Sequence, residues 1–153
     1  MSAHAGPFAG LAADVYCTND LAFALPELAW IDRTVHTLEA PTSNERTCSL
    51  VVARAPLAPR DDLNALVTRA LRRAGREKPE HELLRRTERT IAGRPGIDVA
   101  VRWRAPRSTL YGRQAHVTAG GVWLVFGITG SLEDAATCDH HLERLVETLR
   151  LRT

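Results

Sequence analysis

The stretch "TLYGRQAHVTAGGVWLVFGITG", residues 109–130, predicts two β-strands joined by a glycine turn. β-forming residues end the first strand, Gly120 and Gly121 supply the turn, and the run "VWLVFGI" that follows is apolar on both faces. A parallel return would need a crossover of about a dozen residues or more, so strands joined this closely pair antiparallel. The stretch therefore favours an antiparallel sheet.

The first of these strands has an unusual face. Alternation along the strand places Leu110, Gly112, Gln114 and His116 on one side. An aliphatic side chain, a bare backbone, an amide and an imidazole make a poor core, yet they carry too little charge for an ordinary solvated surface. The role of this face is the main question that the sequence raises.

The segments before residue 109 extend the same pattern. Period-two alternation or short apolar runs predict six further strands, in "DVYCT" (14–18), "LAFAL" (21–25), "DRTVHTLEA" (32–40), "TCSLVVARA" (47–55), "HELLRRTERTIAG" (81–93) and "GIDVAVRWRA" (96–105). The run 47–55 is apolar on both faces, as a central strand would be.

Two segments have helical spacing instead. From Asp61 onwards, apolar residues recur at intervals of three and four as far as Ala74, with Asp61 or Asp62 available as the N-cap. Near the C-terminus, the spacing of Ser131 and Asp134 fits a capping box. The stripe of the second helix consists of Leu142, Leu145, Val146 and Leu149.

The predicted order of elements is therefore β-β-β-β-α-β-β-β-β-α. Short connections make the sheet antiparallel, and the only long crossover is the first helix. We expect the α+β class, with a meandering antiparallel sheet and two helices packed against it. Residues 1–13 are interpreted as a flexible lead-in, and residues 14–153 as a single domain.

Composition and charge narrow the function classes. The chain has 153 residues and a formal net charge of +2, and its arginine-rich patches are interleaved with carboxylates, which disfavours nucleic acid as a partner. Three widely spaced cysteines favour a reducing compartment. The longest apolar run is far shorter than the ~20 residues of a membrane helix. We expect a cytoplasmic protein without a signal peptide or stable membrane insertion.

Candidates for catalysis or metal binding are weak. "CDHH" (138–141) could place Cys138 and His141 one helical turn apart, but a zinc site needs three or four ligands on a fixed frame. The favoured explanation is that Cys138 continues the buried stripe of the helix, with the histidines facing water. For nucleophilic catalysis, no nucleophile elbow surrounds Cys48, Ser49 or Ser131. We expect no cofactor, no metal and no catalytic residues.

Several strings occur together in the order found in one known family. These are "SLVVARAPL" (49–57), "LNALVTRAL" (63–71), "VRWR" (101–104), "RQAHV" (113–117), "LVETLRLR" (145–152) and a W-x-D-x-[TS]-V pattern at 30–35. In this order they resemble the DcrB-related family and, within it, the Eag-type chaperones of type VI secretion systems. The resemblance spans about residues 20–152, and its specificity lies in the order of the strings.

The resemblance implies a PsbP-like fold and a homodimer. It also implies a role in binding the hydrophobic N-terminal transmembrane helices of secreted effectors that carry a PAAR domain. Such a chaperone keeps these helices soluble in the cytoplasm until the effector is loaded on the secretion spike. A small, weakly polar face such as the one around Gln114 would suit this task, because membrane helices associate through close packing and amide or hydroxyl hydrogen bonds.

The family's client-contacting positions carry over one at a time. They fall at Val35 and Thr37 on a strand, Ala70 and Ala74 on the first helix, and Leu110 and Gln114 on the later strand. The resemblance further implies that Gly112 lets a client approach closely and that Gln114 bonds a hydroxyl or carbonyl. Three positions depart from the family pattern: Thr37 replaces a branched aliphatic, Ala70 a second glutamine, and Lys78 a leucine.

Two other functions remain open at this point. The first is a general partner- or ligand-binding domain of the same fold, without a role in secretion. The second is a small metal-dependent or Cys/His enzyme that uses Cys138 and His141.

Overall fold

The computed structural model describes strands β1 and β2, residues 33–42 and residues 45–151. The predicted lead-in at 1–13 lies outside the described residues. Two compact units are present, residues 1–31 and 32–153. The elements are β1 (Val15–Cys17), β2 (Ala22–Ala24), β3 (Val35–Pro41), β4 (Thr47–Pro56), α1 (Leu63–Glu77), β5 (Glu82–Ile91), β6 (Arg94–Arg104), β7 (Thr109–Ala119), β8 (Val122–Ser131), a 3₁₀ turn (Leu132–Asp134) and α2 (Ala135–Thr148).

The second unit is built on a six-stranded sheet in the order β3-β4-β8-β7-β6-β5, and every neighbouring pair is antiparallel. The α+β class and the predicted order of elements are confirmed. Strands β5 to β8 form a meander, and the β3–β4 hairpin joins it at β8. The apolar runs of β4 and β8 predict central strands, and each of the two has a hydrogen-bonded strand on either side.

Strands β1 and β2 do not belong to this sheet. They pair with each other in an antiparallel two-stranded sheet, with Val15 opposite Ala24. The prediction of two short strands in this region is confirmed, whereas their place in one continuous sheet is wrong. Three-residue strands offer few ladder bonds, and nothing in their local pattern specifies a partner strand.

Helix α1 begins as the aspartates predict. Asp62 is the N-cap, and its carboxylate accepts a hydrogen bond from the backbone N–H of Ala65 at 3.2 Å. The buried side of the helix centres on Val67, which packs on Ile97 and Val99 of β6. α1 therefore covers one face of the sheet over β6 and β7.

Helix α2 packs on the opposite face and completes the main core. Its stripe of Cys138, Leu142 and Val146 is buried, as the sequence predicts. Gly130 lies beneath Cys138, and a Cβ atom on Gly130 would be 2.9 Å from the Cys138 sulfur. The absent side chain of Gly130 is thus what allows α2 to approach β8 closely.

The N-terminus of α2 differs from the predicted capping box. The Ser131 hydroxyl accepts from the backbone N–H of Glu133, which caps the 3₁₀ turn before α2. Asp134 does not complete a box, because its carboxylate binds Arg46 in a bidentate manner and accepts from the hydroxyl of Thr42. These bonds hold the loop before β4 against the start of α2, and the bond to Arg46 lowers the pKa of Asp134.

Candidate functional site

Two neighbouring cross-strand rows run over β3, β4, β8 and β7 on the side of the sheet that carries α1. One row consists of Thr37, Val51, Gly127 and Gln114, and the next of Val35, Ala53, Val125 and His116. We define the open face as the residues of these rows other than His116. Helix α1 packs over β6 and β7, whereas most of the open face lies on β3, β4 and β8. The side chains of the open face are therefore half-buried or exposed.

Three of the predicted contact residues lie on this open face. Val35 is 58% exposed, Thr37 is exposed and Gln114 is half-buried. Thr37 and Gln114 share a row and are three strand spacings apart, about 14 Å. The sheet therefore brings together two segments that are far apart in the sequence, as the resemblance implies.

The other three predicted contact residues lie at the margins. Ala70 is half-buried and lines a groove between α1 and the sheet together with Trp123. Ala74 is one turn further along the same side of α1. Leu110 is half-buried at the far end of β7, where it pairs with Trp103 and Ser131. Their assignment as contact residues stays a prediction.

The interpretation of Gly112 as a place for close approach of a client is wrong. A Cβ atom on Gly112 would be 3.0 Å from the ring of Trp103 and 3.3 Å from Val101. The indole of Trp103, from the neighbouring strand β6, already occupies the space above the glycine. Lys78 lies over this ring, with its ammonium nitrogen 3.9 Å from the centroid, so the departure from leucine at this position is used within the chain as a cation–π contact.

His116 is buried, although Gln114 and Val125 beside it on the same face are only half-buried. It is 2% exposed, its ring stacks on Trp123 at a centroid distance of 5.7 Å, and its Nε2 lies 3.1 Å from Oε1 of Gln114. Burial, reinforced by the charge of Arg86 and opposed by that of Asp98, lowers the pKa of His116 to about 4. The ring is therefore neutral at pH 7, and its Nε2–H donates to Gln114.

A glycine lies beside Gln114 on the neighbouring strand. Gly127 lies next to it in the same row, and a Cβ atom there would be 3.6 Å from Cγ of Gln114. The bare backbone of Gly127 leaves a shallow depression between Gln114 and Val51. The open face is thus a shallow, mainly aliphatic surface with one anchored amide.

The "CDHH" segment separates into a buried and an exposed part. Cys138 is fully buried, and burial raises the pKa of its thiol to about 11, so the thiol is protonated at neutral pH. His140 and His141 are exposed, and His141 lines a pocket beside Leu145 and the sheet residues Leu38 and Leu50. Within the described residues, no three His, Cys, Asp or Glu side chains are grouped to hold a metal ion.

A buried ionic network lies on the α2 face of the sheet. Arg113 and Asp98 are each 3% exposed, and Arg113 Nε donates to Asp98 Oδ1 at 2.9 Å. Arg113 also donates to Asp139 at 2.8 Å, and Arg89 bridges Asp98 and Glu143 at 2.9 Å each. Burial disfavours the charge on Arg113, but its hydrogen bonds to Asp98 and Asp139 outweigh this and raise its pKa.

A signal for this network is present in the sequence. Arg113 stands among Tyr111, Ala115 and Val117 on an otherwise apolar face, and Asp98 stands in an apolar stretch of the adjacent strand. Opposite charges in the middle of two neighbouring core strands indicate a buried pair. The network links β7 to β6 and to α2, on the face of β7 opposite Gln114.

The DcrB family profile matches residues 21–148. The chain belongs to the DcrB family. No curated protein sequence matches it, and no helix among its described residues has both the length and the apolar character needed to span a membrane.

Solved structures similar to this DcrB-family chain show the same fold. PA94 from Pseudomonas aeruginosa, a protein of unknown function, has a TM-score of 0.77 at 21% identity, over 91% of this chain and 96% of its own. LpqN of Mycobacterium tuberculosis, involved in cell envelope biogenesis, has a TM-score of 0.56 at 10% identity, over 77% and 83% of the two chains. The cyanobacterial PsbP of Synechocystis has a TM-score of 0.52 at 11% identity, over 82% and 95%. At these identities the likeness establishes a PsbP-like fold alone.

Proposed function

We propose that this DcrB-family protein is a non-catalytic cytoplasmic chaperone for the hydrophobic N-terminal helices of a PAAR-containing type VI secretion effector. In this proposal a homodimer shields those helices until the effector is loaded on the secretion spike. The observation that carries the proposal is the open face, where Val35, Thr37 and Gln114 from distant segments lie on one accessible, weakly polar surface.

The physical chemistry of the open face suits a hydrophobic helix. Exposed apolar surface costs about 25 cal/mol per Å² in water, so a helix that leaves the membrane gains by covering its aliphatic side chains. Val35, Val51 and Val125 offer aliphatic area, and Gly127 offers a depression beside them. Gln114 adds the kind of amide hydrogen bond that joins helices in membranes.

Replacing Gln114 by leucine is expected to weaken client capture while the fold persists. Leucine would leave the buried Nε2–H of His116 without its acceptor, so the free energy of unfolding should fall by about 1–3 kcal/mol. The amount of a co-expressed effector retained on the immobilised chaperone measures the effect, and thermal unfolding of the variant alone shows that it is folded at the temperature of the assay. Unchanged retention by the folded variant would remove Gln114 from the site.

A matched pair on β3 tests which face of the sheet binds. Val35 and Leu38 are similarly exposed, at 58% and 56%, but they point to opposite faces of the strand. Val35→Asp is expected to weaken capture about tenfold or more, because it places a charge against apolar client surface. Leu38→Asp should leave capture nearly unchanged. Equal losses from both substitutions would contradict binding on the open face.

Co-expression tests the proposal as a whole. A PAAR effector with apolar N-terminal helices should accumulate in soluble form only when this protein is present. The same effector without those helices should accumulate equally with and without it. If the yield of the intact effector does not depend on this protein, the chaperone role fails and a general partner-binding role of the same fold takes its place.

A further inference from the structure

A basic groove of about 490 Å³ lies between α1 and one end of the open face. Its lining residues are Arg33, Ala55, Pro56, Asp61, Leu66, Arg69, Ala70, Arg73, Arg76 and Trp123. Four of these ten side chains are arginines, and only Asp61 carries a negative charge. The other half of the lining is apolar, so the groove combines cationic and hydrophobic surface.

The positive charges of the groove are only partly balanced. Arg69 faces Asp61 at 3.7 Å, and Arg73 is paired along the helix with Glu77 at 2.7 Å. The side chains of Arg33 and Arg76 form no ion pair or hydrogen bond within the described residues. Two guanidinium groups are therefore left to meet an anion at the rim of the groove.

A buried donor lies in the wall of the same groove. The indole Nε1–H of Trp123 is shielded from water and has no hydrogen-bond partner among the described residues. Because this nitrogen has essentially no exposed surface, an acceptor in the groove does not reach it in this structure, and the indole contributes apolar wall. The arginines are therefore the groups of the groove that attract and bind a negative charge.

The groove continues the open face by one register step. Trp123 pairs with Ala55, and the next row along the same face contains Val125, Ala53 and Val35. Two residues along a strand correspond to about 7 Å. A segment that lies over the open face therefore reaches the arginines when it extends by one or two further residues at this end.

We propose that this groove binds a carboxylate side chain that flanks the hydrophobic segment of the client. The inference rests on the proposed function and specifies it: the preferred client has Asp or Glu next to one end of its apolar helix. A carboxylate fits because guanidinium groups bind it in a planar, bidentate manner, and the apolar half of the groove accepts the aliphatic residues next to it.

The test uses the full chain and a soluble carrier protein fused to an alanine–leucine segment of about 18 residues. The segment ends in Asp-Asp, Asn-Asn or Lys-Lys, and fluorescence anisotropy gives the affinity of each. We expect the Asp-ended segment to bind about tenfold more tightly than the Asn-ended one, and the Lys-ended one to bind more weakly still.

The arginine variants locate the effect. Arg33→Gln with Arg76→Gln should bring the Asp-ended and Asn-ended affinities within about twofold of each other, with the Asn-ended affinity unchanged. Arg72→Gln with Arg107→Gln is the matched control, since both residues are exposed, lie outside the groove and change the net charge equally. This control should retain the preference.

Each other outcome contradicts a defined part of the inference. Equal binding of the Asp-ended and Asn-ended segments overturns the carboxylate site and leaves the proposed function standing. A preference that survives in the Arg33/Arg76 variant places the anion elsewhere. Displacement of the Asp-ended carrier by a single-stranded oligonucleotide would assign the arginines to nucleic acid. If no segment binds, both the inference and the proposed function fail.

Discussion

Replacing Arg113 by methionine is expected to lower the free energy of unfolding by about 3–5 kcal/mol. Methionine fills a similar volume, so the loss comes mainly from charge. Asp98 is 3% exposed and would lose both of its bonds to Arg113. Arg89 keeps one bond to Asp98 at 2.9 Å, which places the expected loss towards the lower end of this range.

A matched variant of an exposed ion pair, measured by urea denaturation, tests whether the loss depends on burial of the pair. Arg102→Met removes an ion pair with Glu82 in which both side chains are about half exposed, at 44% and 52%. Such a surface pair contributes about 0–1 kcal/mol, so this variant should remain close to the wild type. The double variant Arg113→Met/Asp98→Asn should regain part of the loss, because no uncompensated charge remains buried. A loss below about 1 kcal/mol for Arg113→Met would contradict the buried pair.

Acidification is expected to destabilise the fold through His116. The pKa of His116 is about 4 in the folded chain, whereas an imidazole in an unfolded chain has a pKa of about 6.5. Between these values the unfolded chain binds more protons, so its free energy falls relative to the folded chain as the pH decreases. The stability that the neutral His116 contributes is fully present above about pH 6.5. A loss on the order of 3 kcal/mol in the free energy of unfolding accumulates as the pH falls to 4.

Two histidine variants check the origin of this pH dependence. Urea midpoints between pH 8 and pH 4 should fall steeply in the wild type and less steeply in His116→Gln. His81→Gln is the control, because burial also lowers the pKa of His81 but this side chain remains partly exposed. Asp134 and Glu143, whose pKa values are lowered by Arg46 and Arg89, add a further loss at the acid end. That loss is common to all three proteins, so an unchanged slope in His116→Gln would overturn the assignment to His116.

The element order could be predicted because its signals are local. Period-two alternation, helical spacing and turn glycines each depend on a few neighbouring residues, and all ten predicted helices and strands appear in the structure. The pairing of β4 with β8 could not be predicted in this way. It joins residues as far apart in the sequence as Val52 and Phe126. Local patterns do not specify which two strands with apolar residues on both faces become neighbours.

The open face was predictable only in part. Alternation correctly placed Gln114 and His116 on the same side of β7, but it could not show that the histidine is buried against Trp123 while the amide stays accessible. The prediction for Gly112 is wrong for the same reason, since the ring that fills the space above it belongs to Trp103 on the adjacent strand. Which side chain covers which glycine is a tertiary property that a single strand does not encode.

Strand β3 forms one border of the sheet, is exposed along its whole length and hydrogen-bonds only to β4 among the described strands. Border strands of this kind separate from their neighbour at a free energy well below that of global unfolding. One wall of the open face can therefore fray and re-form while the buried network around Arg113 stays intact. Under the proposed function, opening of the single ladder of backbone bonds between β3 and β4 would release a bound client while the rest of the domain stays folded.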